Sequence, residues 1–173
     1  MTDRDSDRKT LPELITKLDA GEFELYSFVE NRCYLDGGSM FGVIPKVLWS
    51  KLIQCDENNL VPLDTNLLFV KAHGKRILVE CGIGDMLTDI ERKVYTCYTP
   101  SRMDDCLSRL GVTPDMIDYV ILTHLHLDHV GGAVVADRDG NPSPRFTNAR
   151  HVIRQEEWDD AMNPDDRSKV SYP

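Results

Sequence analysis

Three histidines and an aspartate fall within six positions of this chain, in Thr123-His124-Leu125-His126-Leu127-Asp128-His129-Val130-Gly131-Gly132. They follow directly on the apolar run Tyr119-Val120-Ile121-Leu122. A short, continuous apolar run bounded by polar residues suits a strand buried on both faces. Imidazole nitrogen and carboxylate oxygen are the donors that zinc, iron and manganese accept. In an extended loop, residues two apart project to the same side. His124 and His126 can therefore grip one metal, and Asp128 and His129, from the following turn, can point toward a second. Leu125 and Leu127 face the other way and anchor the loop in the core. Gly131-Gly132 lets the backbone turn sharply beside the site. A lone histidine at a strand end is ordinary, but three with an aspartate in this order are not explained by chance placement.

The remaining sequence is that of one α/β unit. The chain has 173 residues, 41% hydrophobic and 28% charged, which is enough to bury a core. A polar tail over 1–9 precedes Leu11, Leu14, Ile15 and Leu18, whose spacing predicts a short helix stopped by Gly21. Residues 1–21 are therefore read as a tail and short helix, and 22–173 as the folded unit. Glu22 to Leu35 predicts one or two strands, broken by Asp36-Gly37-Gly38-Ser39. Met40 to Leu52 is apolar but punctuated by Gly42 and Pro45, which predicts a loop packing its apolar side chains, then a helical turn. Asn66 to Ala72 and Arg76 to Glu80 around His73-Gly74-Lys75 predict a hairpin. Ser101 can cap a helix burying Met103, Cys106, Leu107 and Leu110, with Gly111 at its end. Ala136 to Phe146 reads as loop, His151 to Ile153 as strand, and Glu156 to Met162 as a helix ended by Asn163-Pro164. Helices interleaved with strands indicate α/β layers with helices covering a sheet.

Charge and cysteine usage narrow the setting. The net charge is −9, and the basic residues are scattered, so a phosphate backbone is repelled and nucleic acid is not an expected partner. No apolar run reaches membrane-spanning length, and the charged start lacks the apolar core of a secretory signal. Cys33, Cys55, Cys81, Cys97 and Cys106 are odd in number and widely spaced, which argues against a disulfide framework and for a reducing cytoplasm. Each is read as a small buried apolar residue.

The His-x-His-x-Asp-His pattern after an apolar strand resembles the metal motif of the metallo-β-lactamase fold superfamily. Asp36-Gly37-Gly38-Ser39-Met40-Phe41-Gly42 and Pro45-Lys46-Val47-Leu48-Trp49 resemble a branch containing quorum-quenching lactonase-like hydrolases. Ile117-Asp118-Tyr119-Val120-Ile121-Leu122-Thr123-His124 and Glu157-Trp158 to Asn163-Pro164 fit the same branch, so the resemblance covers roughly residues 22 to 173. It implies an αββα sandwich. It places His124 and His126 on a first metal and Asp128 and His129 on a second, usually two zinc ions, with iron or manganese as alternatives. In such a site a bridging water is ionised near neutral pH and attacks the carbonyl of a lactone or related ester; Asp128 also orients the nucleophile. An oxygen-reducing diiron branch has Glu where this chain has His126, so His126 favours hydrolysis.

Two departures accompany the resemblance. The strand-end motif usually begins with Asp; here it is Glu80-Cys81-Gly82, so the support an Asp gives the metal loop is either supplied by Glu80 with a longer reach or absent, which leaves the loop geometry open but not the ligands. The family is built from two similar halves, with further ligands in the second, and this sequence ends at Tyr172-Pro173 before reaching it. The expectation is the first half of a sandwich, inactive unless completed, its apolar face covered by a second copy or a complementary chain. The alternative is a non-catalytic metal-binding or interaction half-domain that pairs with another chain. His73, in a turn, and His151, in a strand, are not expected to be ligands. Trp49 and Met40-Phe41 are read as packing, Asp85 as a turn residue and Glu156-Glu157 as a solvated helix start. Tyr26, Tyr34, Tyr95 and Tyr98 can each donate a proton, and nothing in the sequence selects one.

Overall fold

The computed structural model describes residues 15–97 and 99–173. Leu11, Leu14 and Tyr98 lie outside the described residues. Strand β1 (Ile15–Ala20) and the long β2 (Phe23–Asp36) form a hairpin around Gly21, which sits at φ +68°. The helix expected up to Leu18 is thus a strand over Ile15 to Ala20: backbone pairing to residues 23–28 of β2 overrides a helical spacing carried by few apolar residues. Asp36 caps α1 (Gly37–Phe41), accepting bonds from the amides of Gly38 at 2.7 Å and Ser39 at 3.3 Å. These bonds, with one from Asn59 Nδ2, hold its carboxyl below the usual range, the Asn59 contact contributing most. Helix α2 (Lys46–Trp49) follows. Its Trp49 is buried, lies against the bare Cα of Gly37 and stacks on Phe41 at 4.6 Å between ring centroids. The rest of this apolar stretch does not pack as expected: Val43 is 99% exposed and Leu52 88%, with Ile44, Val47 and Leu48 also open.

Strand β3 (Leu60–Ala72) pairs antiparallel with β2, and β4 (Lys75–Val79) returns on β3 across His73-Gly74. His73 and Gly74 have φ of 48° and 72°, the left-handed pair that suits a two-residue hairpin. Thr88 caps α3 (Asp89–Val94) in a capping box with Glu91, and α4 (Met103–Arg109) buries Met103, Cys106 and Leu107 as expected. β5 (Tyr119–Ile121) lies parallel to β4, and the one-turn α5 (Leu127–Val130) follows it. Within the stretch expected to be loop, β6 (Val134–Ala136) and β7 (Pro142–Pro144) make a small separate hairpin, because Asp137 accepts the amides of Asp139 and Asn141 and closes a tight turn. β8 (Arg150–Val152) then pairs parallel with β5, and α6 (Gln155–Met162) ends the element order.

The main sheet has the order β1-β2-β3-β4-β5-β8, antiparallel through β4 and parallel beyond. Register aligns Phe69 with Leu78 and Leu78 with Val120, so these side chains share one face. Met103, Cys106, Leu107, Ile117 and Phe146 cover that face and form the core with Phe28 and Leu67. The opposite face carries Val79, Ile121 and Val152 in register. It is partly open, so the strand expected to be buried on both faces is buried on one: Val120 is inaccessible while Ile121 is 36% exposed. Among the described residues no helix is long and apolar enough to cross a membrane.

Cys33 and Cys97 are joined in a disulfide, which corrects the reading of all five cysteines as free apolar residues. The reason lies in the fold. Among the described residues β1 pairs with 23–28 of β2, and Thr96 pairs with Tyr34 farther along the same strand, bringing Cys97 onto Cys33 across 64 positions of sequence.

Two glycine-bearing turns lock into each other at the end of β4. A Cβ on Gly132 would strike the Cys81 carbonyl oxygen, one on Gly131 the Ile83 carbonyl oxygen, and one on Gly84 would lie 2.7 Å from the Gly132 Cα. Gly132→Ala is expected to lower stability by roughly 1–3 kcal/mol, the range for forcing a methyl into a packed site. The urea unfolding midpoint checks this, and an unchanged midpoint contradicts the interlock.

Candidate metal centre

The loop 122–126 leaves β5 as irregular backbone, and α5 begins at Leu127. Leu125 packs against the main core and Leu127 is buried with Cys33 and Ile83, the two anchors expected from the sequence. The alternate side chains emerge together. The ring of His124 lies 4.7 Å from that of His126 and 3.9 Å from that of His129, centroid to centroid. Asp128 Oδ2 stands 3.6 Å from His129 Nε2. All four side chains are half-buried.

Glu80 answers the question raised by its extra methylene. It takes a left-handed conformation, φ 67°, directly after β4. Its Oε2 accepts from His129 Nδ1 at 3.1 Å, and its Oε1 accepts the Thr123 amide at 3.0 Å. One carboxylate thereby ties both ends of the histidine loop. With its Nδ1 proton committed to Glu80, His129 presents the Nε2 lone pair outward. Burial works against ionising Glu80, but the hydrogen bonds from His129 and Thr123 outweigh it and keep the carboxyl below its usual range. The same bond raises His129, against burial. His124 is lowered, by burial first and then by the neighbouring His129 and His126 rings.

Several supporting residues carry no signal in the linear sequence. Glu157 is not a solvated helix start: its Oε1 accepts the amide of Leu125, between the two histidines, at 2.8 Å. Arg145 is buried and donates to the Gly132 carbonyl at 2.9 Å and to Asp104 at 2.5 Å, bracing the glycine turn against α4. Glu30, at the bulge in β2, is fully buried and accepts from the Ile83 amide at 3.1 Å and from Thr65 Oγ1 at 2.9 Å. Burial pushes its carboxyl up. Only the placement of a Glu inside an apolar strand hinted at it.

Asp85 has the turn role expected, accepting the Ser101 amide at 2.8 Å. His73 is exposed in its turn, and His151 is exposed on β8. Of the tyrosines, Tyr95 lines a cavity of about 150 Å3 with Asp128, His129, Glu80, Met40 and Cys33. Burial, then the charges of Asp128 and Glu91, push its hydroxyl up to about 12.

The donor types fit a divalent cation, and the His124 ring lies nearer that of His129 than that of His126. Among the described residues no three His, Cys, Asp or Glu side chains are set around one point. Zinc sites take three or four protein donors, so the described side chains do not by themselves complete a set.

A mixed sheet here delivers a histidine-rich loop from the end of a parallel strand, in an α/β architecture. Residues 60–163, more than half of the chain, match the family model described as the metallo-beta-lactamase superfamily, and the chain belongs to that superfamily. It is 26% identical over 156 residues to an N-acyl homoserine lactonase of Bacillus thuringiensis, covering 84% of this chain and 54% of that protein. With the N-acyl homoserine lactonase AttM of Azorhizobium caulinodans it shares 34% identity over 77 residues, covering 42% of this chain and 26% of that protein. In structure it is similar to a probable metal-dependent hydrolase from Staphylococcus aureus, with a TM-score of 0.80, 32% identity, and coverage of 90% of this chain and 55% of that one. The dizinc quorum-quenching lactonase AidC, at TM-score 0.66 and 22% identity, shares the fold. The chain spans about half the length, or less, of the relatives it matches.

If Glu80 sets the protonation of the cluster, His129 titrates above ordinary imidazole and His124 below it in the metal-free protein. In Glu80→Gln the His129 midpoint falls toward that of a free imidazole while His124 moves less. Imidazole C–H chemical shifts followed through a pH titration read both; an unmoved His129 contradicts the assignment.

Proposed function

We propose that this chain contributes the first four metal donors of a divalent-metal-dependent hydrolase acting on a lactone or related ester. His124 and His126 would hold one cation and Asp128 and His129 the second. Two zinc ions are the first choice, with iron or manganese as alternatives of the same donor preference. The observation that carries the reading is the gathering of three imidazoles and a carboxylate on one loop, backed by Glu80. The lactonase names of the relatives support the substrate class.

When bound, the cations supply a water ionised near neutral pH and a Lewis acid for the carbonyl. The residues of the chain itself have separate tasks. Glu80 holds the His129 proton on Nδ1. Glu157 fixes the loop backbone between His124 and His126, and Arg145 the glycine turn that follows the donors. Asp128, half-buried at the cavity beside His129, would orient the attacking water. The acidic surface suits a small neutral substrate better than a nucleic acid. The Cys33–Cys97 disulfide means that the cysteine count no longer argues for a reducing, cytoplasmic setting.

Each pair needs further donors from outside the described residues, so turnover depends on a complementary segment or chain. The exposed Val152, Trp158 and Met162 support such a partner, a second copy included. Because the pairs are each short of a full set, a second reading stands beside the first: a metal-binding half-domain without turnover of its own.

The test begins with metal-stripped chain dialysed against zinc or manganese and analysed for bound metal. Retention is expected, and His124→Ala and Asp128→Ala are each expected to weaken it about tenfold or more. Ring opening of an N-acyl homoserine lactone, followed by acid release, then separates the readings: metal-dependent opening supports the hydrolase, and retention without opening supports the half-domain. A chain that retains neither metal contradicts both. Sedimentation is expected to show self-association, and a strictly monomeric chain that binds no apolar dye contradicts the partner surface.

A further inference from the structure

We propose that Cys33 and Cys97 form a reversible cystine that fastens one wall of the cavity beside Asp128 and His129, and that a dithiol reductant releases that wall. The inference rests on reading this cavity as the reaction site.

Cys33 is buried in β2 and lines the cavity with Asp128 and His129. Its partner belongs to the segment that follows α3. That segment joins the sheet through one reciprocal pair of backbone bonds, Tyr34 N–H to Thr96 carbonyl and Thr96 N–H to Tyr34 carbonyl, both 3.1 Å. Asn31 adds two bonds to Thr99, each 3.0 Å. Farther along, Ser101 N–H bonds Asp85 Oδ1 at 2.8 Å and Arg102 N–H bonds the Glu30 carbonyl at 3.0 Å. Helix α3 buries no residue, and its Ile90 is 74% exposed. Tyr95 and Cys97 pack only at the margin of the small cluster of Cys33, Ile83 and Leu127. Segments with few buried contacts and one short hydrogen-bonded bridge open at low free energy. The covalent bond is therefore the strongest tie between Tyr95 and the site loop.

The sulfurs differ in access. Cys33 is buried, whereas Cys97 is half-exposed, so an incoming thiolate meets Cys97 first. A bond forms between the reductant sulfur and Cys97 Sγ as the Cys33–Cys97 bond breaks, and Cys33 leaves as thiolate and takes a proton. The second thiol of the reductant then displaces Cys97. The pair gains two electrons and two protons, and the dithiol departs as its own disulfide. Once freed, residues 95–97 keep their backbone bonds to β2 and their marginal packing on the small cluster, and lose the covalent tie that fixes Tyr95 beside Asp128. Cys55, Cys81 and Cys106 are unbonded and serve as internal controls.

The test uses the full chain and needs neither metal nor substrate, so its failure is separate from failure of the hydrolase reading. Protein equilibrated with oxidised glutathione or with dithiothreitol is denatured, alkylated and peptide-mapped. Three alkylated cysteines and a linked Cys33–Cys97 peptide are expected after oxidation, and five alkylated cysteines after reduction. Hydrogen exchange is then compared between the two states. Reduction is expected to speed exchange at the Tyr34 and Thr96 amides about tenfold or more, while Phe69 and Leu78 in the sheet stay unchanged. Cys97→Ser is expected to show the fast pattern in both conditions. Absence of the linked peptide, or a linked peptide whose reduction leaves Tyr34 and Thr96 exchange unaltered, overturns the proposal.

Discussion

The backbones of Gly131 and Gly132 rest directly on the carbonyls of Cys81 and Ile83, at a distance no side chain permits. The amide of Gly132 bonds the Gly82 carbonyl at 3.0 Å, and the amide of Cys81 bonds the His129 carbonyl at 2.8 Å. This contact joins the end of β4 to the end of the histidine loop. It also fixes where Glu80 sits, because Glu80 immediately precedes the first turn and takes up a left-handed conformation to enter it. The donor cluster, the carboxylate behind it and the parallel pairing of β4 with β5 all depend on those two turns remaining in register.

Around that contact the structure places charged side chains where they act on backbone. Glu80 spans from Thr123 to His129, Glu157 reaches Leu125 from α6, Arg145 reaches Gly132 from beyond the small hairpin, and Glu30 reaches Ile83 from the bulge in β2. These bonds come from four residues far apart in sequence and end on the two turns or the loop. The loop is therefore held rigidly by parts of the chain far apart in sequence, which a site that must hold donors to a fraction of an ångström requires.

Much of this was legible in the sequence where the signal is local. The donor loop, the alternate anchoring by Leu125 and Leu127, the His73-Gly74 hairpin and the buried face of α4 all follow from spacing and turn chemistry within a few residues. What was not legible depends on contacts between distant segments. Ile15 to Ala20 is a strand because β2 offers it an edge. Cys33 meets Cys97 because Thr96 pairs with Tyr34 on β2. Glu157 looks like a helix-start acid until α6 is seen to aim it at the Leu125 amide. The apolar stretch after Gly42 was expected to pack, and it stays largely open, since only Trp49 finds a cavity floor, at Gly37.

The central claim is that the imidazoles and carboxylate between positions 124 and 129 hold the cation, and not the sulfurs nearby. Zinc K-edge X-ray absorption on the zinc-loaded chain tests it most directly. The account predicts nitrogen and oxygen neighbours near about 2.0–2.1 Å with the outer-shell scattering of coordinated imidazole. A sulfur neighbour near about 2.3 Å, or a spectrum without imidazole scattering, would contradict it.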